Sequence, residues 1–65
     1  MTLAKNMPRL MLHKKIRYFQ EEIGHALSSQ QVLAQLGRTQ IEELYRDVYF
    51  IYHAQIAAKL GDNNG

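Results

Sequence analysis

Thr39 to Gly61, TQIEELYRDVYFIYHAQIAAKLG, is the stretch on which the fold turns. Thr39 followed by Glu42 has capping-box spacing, in which a hydroxyl and an acid three residues on satisfy two free N–H groups. That places a helix over about 40–60, with Gly61 to end it and 61–65 as a polar tail. VYFIY at 48–52 has strand propensity on its own. The cap and a periodic span of about 20 residues outweigh it. On a helical wheel Ile41, Leu44, Tyr45, Val48, Tyr49, Tyr52 and Ile56 share one broad face, and Glu42, Glu43, Arg46 and Asp47 lie opposite. Beyond Val48 the pattern changes. Phe50, Ala54 and Ala57 continue along the side that was charged, and from 48 to 58 the strongly polar side chains are His53 and Gln55. A helix apolar on nearly all sides needs cover on nearly all sides. A chain of 65 residues has few other elements to provide it, so the expectation is a homodimer closed by Phe50, Ile51, Ala54 and Ala57.

Upstream, Leu12, Ile16, Phe19, Ile23 and Ala26 recur at spacings of four, three, four and three, an a/d-type stripe with Leu27 at its edge. Pro8 suits the first turn of a helix and Asn6 is a nearby cap, so helix 1 is expected over 9–27, with Gly24 weakening its last turn. Ser28 and Gln31 repeat the capping-box spacing before a short helix at 29–36 that Gly37 would stop. One long bent helix from Pro8 to Leu36 is the alternative. The fold class is all-α: an antiparallel helical hairpin or three-helix unit forming a single domain over 1–65, with an irregular arm at 1–7. The Leu12–Ile16–Phe19–Ile23 stripe should meet the Ile41–Leu44–Val48–Tyr52 face, and the short connection favours antiparallel packing.

Size and composition narrow the function. The chain has 65 residues, 46% of them hydrophobic, and no cysteine. Disulfide scaffolds and thiolate metal sites are thereby excluded. His13, His25 and His53 lie too far apart for a metal site on one helix, so no metal or cofactor is expected. Gly24, Gly37, Gly61 and Gly65 are scattered and build no phosphate loop. Ser28 and Thr39 are accounted for as caps, and no nucleophile–base–orienter spacing is present, so catalysis is not expected. No apolar run approaches a bilayer span. Lys14, Lys15 and Arg17 break any signal-peptide core, and the expected location is cytoplasmic.

Charge is uneven. Lys5, Arg9, Lys14, Lys15 and Arg17 give the first 20 residues a net +5, and the other 45 carry −3, for a total of +2. The basic segment is either the solvated back of helix 1 or a strip for an acidic protein or a nucleic acid. Helix 1 has no Trp and turns acidic at Glu21, which argues against a lipid surface. A helix-turn-helix with Gly37 at its turn would need a small residue at Leu33 and apolar residues at Glu43 and Arg46, and all three positions fail. Tyr45, Tyr49 and Tyr52 form one stripe, either core or anchors for a partner protein. His53 beside them reads as an interfacial histidine rather than a pH switch.

The YxxxYxxY stripe at 45–52, in a chain of this size, resembles small co-chaperones of type III secretion needles and small phage- and plasmid-encoded anti-activators of transcription. The shared trait covers under half of the chain, and no functional residue is carried over. The function expected is non-enzymatic: a small helical regulator or adaptor that occludes another protein through Tyr45, Tyr49, Tyr52, Arg17 and Lys14. The alternative is a small dimeric nucleic-acid-binding protein using Lys5, Arg9, Lys14, Lys15 and Arg17.

Overall fold

The computed structural model describes residues 6–63. Lys5, most of the expected arm and the last two residues of the expected tail lie outside the described residues. The rest is all-α: α1 (Arg9–Glu22), α2 (Gln30–Gln35) and α3 (Arg38–Asn63). Of the expected arrangements it is the three-helix unit.

α1 begins behind Pro8, whose carbonyl accepts the Leu12 N–H at 3.1 Å. It stops at Glu22, five residues short of the expected end, and Gly24 is the reason. Gly24 sits at φ +78°, a left-handed conformation that a Cβ disfavours. Its N–H reaches the Glu21 carbonyl at 3.2 Å, and the His25 N–H reaches the Gln20 carbonyl at 2.8 Å. These two bonds form a Schellman cap, so Gly24 terminates the helix instead of weakening it. Ala26 and Leu27, expected on the helical stripe, are exposed in the following loop.

Gln20 holds that loop. Its side chain is buried, donates to the Ser28 hydroxyl at 3.0 Å and accepts the Ser28 N–H at 2.8 Å. Ser28 is therefore engaged with α1, and Ser29 is the N-cap of α2, accepting the Val32 N–H at 3.1 Å. The expected Ser28–Gln31 box is displaced by one residue. At the other end of α2 the Arg9 guanidinium donates to the carbonyls of Leu33 (2.9 Å), Ala34 (3.3 Å) and Leu36. A cation there satisfies carbonyls that a helix end leaves open and suits the negative end of the helix dipole.

α3 also starts differently from expectation. Gly37 contributes the carbonyl that accepts the first helical N–H, from Ile41 at 3.0 Å, and Gln40 Oε1 reaches back to the Gly37 N–H at 2.9 Å. That is the returning half of a capping box set two residues before Thr39. Glu42 is instead paired with Arg38 one turn back, at 2.6 Å. Gly61 does not stop the helix, which runs on to Asn63.

α1 packs against α3. The core is Leu12, Ile16, Phe19 and Ile23 from α1 and its cap, Leu33 from α2, and Ile41, Tyr45 and Val48 from α3, with Leu44, Tyr49 and Tyr52 packed against it. The two expected faces do meet, but the direction differs. Arg38 at the start of α3 donates to the Met7 carbonyl at 2.8 Å, just before α1. Phe19 near the end of α1 lies 4.9 Å from Tyr52. α1 and α3 therefore run parallel, and the expected antiparallel packing is corrected. The loop after Gly24 together with α2 travels back along the bundle, so α3 restarts at the end where α1 began. At 1.5 Å per residue α3 is about 39 Å long against about 21 Å for α1. The excess extends past the Schellman cap of α1.

Candidate functional site

The tyrosine stripe resolves into an aromatic cluster around Phe19. Ring centroids of Tyr45, Tyr49 and Tyr52 lie 6.0, 5.9 and 4.9 Å from it. Tyr45 is 5% exposed, so its expected role as a partner contact is corrected: it is a core residue. Burial and then the neighbouring Tyr49 raise the Tyr45 hydroxyl pKa above its usual value. Tyr49 and Tyr52 are half-buried against the same core. Tyr18 caps the cluster from outside, 6.3 Å from Tyr52, and a hydrogen bond with Tyr52 is the main cause of its raised pKa. His53 lies 4.3 Å from Tyr49 with the rings tilted by 51°, and it is exposed.

Of the basic set, Arg9 is taken up by α2 and is no longer a free cation. Lys14 and Lys15 are exposed, and Arg17 is half-buried with its Nε lacking a hydrogen-bond partner. No ion pair among the described residues engages these three. They share the outward side of α1 with Leu10, Met11 and Tyr18, which are 75%, 46% and 54% exposed. Leu10, Lys14 and Arg17 lie opposite the Leu12–Ile16–Phe19 stripe, Tyr18 and Met11 lie to one side, and Lys15 sits on that side nearer the stripe. The exposure of Leu10 and Met11 was legible on a wheel of α1, where both fall outside the core arc.

A cleft of about 150 Å³ between α1 and α2 is lined by Leu10, His13, Lys14, Arg17 and Gln30. It is well under the roughly 300 Å³ at which pockets for drug-sized ligands begin. His13 is buried and its Nε2 has no partner. Burial first, and the Arg9 charge second, lower its pKa, so the imidazole is held neutral. Among the described residues no group of three His, Asp or Glu side chains could hold a metal ion. Among them, too, no helix is long and apolar enough to cross a membrane.

The second bare surface is the far half of α3. Every residue from 53 to 61 is exposed. Phe50, Ile51 and Leu60 are 54%, 38% and 60% exposed, and Ala54 and Ala57 lie between them on the helix. All four residues expected at a dimer contact are thus on the surface. Single exposed apolar residues are ordinary, but a contiguous apolar face on a helix marks an interaction site. Comparison with protein-family models, with curated proteins and with solved structures finds no match for this chain.

Proposed function

We propose that this chain is a non-enzymatic helical binding protein, a small regulator or adaptor that acts by covering a surface of another protein. The observation that carries the reading is the outward face of α1. It sets Leu10, Met11 and Tyr18 in the open beside Lys14, Lys15 and Arg17, with no acid on the helix before Glu21. Apolar anchors ringed by unpaired cations fit a protein surface that is apolar with an acidic rim. The mechanism is occlusion by the α1 face, with Lys14 and Arg17 steering the approach. Tyr52 supports that face from behind through Tyr18.

The nucleic-acid reading is the weaker one. Phosphate-driven affinity grows with the number of cations engaged, and Arg9 already serves α2, which leaves Lys14, Lys15 and Arg17 on the described part of α1. Affinity capture from the cells that make the protein tests the proposal, with Leu10→Asp/Lys14→Glu as control. A partner held by the native chain and by Glu43→Lys, and lost from the α1 double variant, supports it. Capture unaffected by the double variant, or a salt-sensitive DNA mobility shift in its place, overturns it.

A further inference from the structure

From the free half of α3 we infer that two copies of this chain pair through it, antiparallel, about a two-fold axis between Ala54 and Ala57. The inference stands apart from the α1 face and does not depend on it.

Phe50, Ala54, Ala57 and Gly61 follow one another at spacings of four, three and four, a single straight stripe. It lies on the opposite side of α3 from buried Ile41, Tyr45 and Val48, and nothing among the described residues covers it. The stripe is bracketed. Glu43, Arg46 and Asp47 occupy the same side before it, and Asn63 ends the helix after it. An antiparallel contact about that axis overlaps positions 48–63 of the two helices, so Glu43, Arg46 and Asp47 fall outside it, and residues 48–58 contain no Lys, Arg, Asp or Glu. Lys59 lies on the reverse of the helix.

Shape favours a second copy over any other occupant. Antiparallel pairing about the axis sets Ala54 against the other copy's Ala57, which lets two helices approach to about 8 Å. It sets Phe50, the largest side chain of the stripe, against the other copy's Gly61, which has none. Gly61 is otherwise unexplained. It stands in the last turn of α3, and the helix continues through it to Asn63. A Cβ there would meet nothing within 4 Å, so no neighbour among the described residues demands glycine. Ile51 and Leu60 flank the seam on its two sides. A knob and a hole placed equally far from one midpoint are what an isologous contact requires. Phe50, Ile51 and Leu60 are 54%, 38% and 60% exposed, and a seam one helix wide falls at the small end of specific interfaces. The dimer should accordingly dissociate on dilution.

The absence of cysteine makes the register testable. Chains carrying Ala54→Cys and Ala57→Cys, one of them isotope-labelled, are mixed and oxidised gently. The seam predicts that mixed 54–57 disulfides outnumber like-with-like pairs, since those positions face each other. It also predicts that native protein approaches twice 7.6 kDa in sedimentation. Ala54→Glu should return the mass to 7.6 kDa while the helical circular dichroism persists. Like-with-like pairs in excess would overturn the antiparallel register and leave a dimer standing. A monomer up to about 1 mM, weaker than any specific pairing of use, or an Ala54→Glu variant that stays dimeric, would overturn the seam itself.

Discussion

The two halves of α3 have similar apolar content and opposite fates. From Ile41 to Tyr52 the helix has α1 beside it, and Ile41, Tyr45 and Val48 are buried. From His53 to Gly61 it has no neighbour, and every residue is exposed. Apolar content does not separate them, because Ile56, Ala57 and Leu60 are as apolar as much of the first half. What separates them is the length of α1, and that is set by the left-handed turn at Gly24. A helix can therefore be core at one end and surface at the other although both ends are rich in apolar residues.

The largest effect that tests this contrast is truncation of one isoleucine in each half. Ile41→Ala should cost about 2–5 kcal/mol in urea denaturation, as large-to-small changes in a core do. Ile56→Ala should change the monomer by less than about 0.5 kcal/mol, as surface substitutions do. Equal losses would show that the far half is packed in solution.

Next is the position that sets the boundary. Gly24→Ala meets no steric contact within 4 Å, yet it should destabilise by about 1–2 kcal/mol, because alanine resists φ +78°. A neutral or stabilising result would mean that α1 continues past Glu22, as its apolar stripe alone suggests. Arg9→Met should then cost about 1 kcal/mol by leaving carbonyls at the end of α2 without their donor. The smallest effect is on pH. Unfolded His13 takes up a proton as pH falls through 6.5, which the folded imidazole resists because its pKa is lowered. Stability should be full above that value and decline as pH drops toward the lowered one. His13→Gln should flatten the decline of the thermal midpoint.

Much of this fold is written in plain periodicity. The Leu12–Ile16–Phe19–Ile23 stripe and the Ile41–Val48 face are the surfaces that meet, and the isolated helix at 30–35 follows from serine and glycine punctuation. Direction is another matter. The short segment between α1 and α3 predicts an antiparallel pair, but its loop and α2 together span the bundle and reverse the relation. Caps were legible as kinds and shifted as positions: Ser29 and Gly37 hold the roles assigned to Ser28 and Thr39, because Ser28 is drawn to Gln20 and Glu42 to Arg38. Arg9 could not have been separated from Lys14 and Lys15 by sequence, since its role needs the end of α2 brought beside it. Tyr45 became core for the same reason, by the placement of Phe19.

The central claim is that the far half of α3 is bare in one copy and covered in two. Amide hydrogen exchange along α3, followed from dilute to concentrated protein, measures this directly. The structure predicts protected amides over 41–52 at every concentration, and protection over 53–61 that rises as the protein is concentrated. Uniform protection of α3 in dilute protein, or a far half that stays unprotected when concentrated, would contradict it.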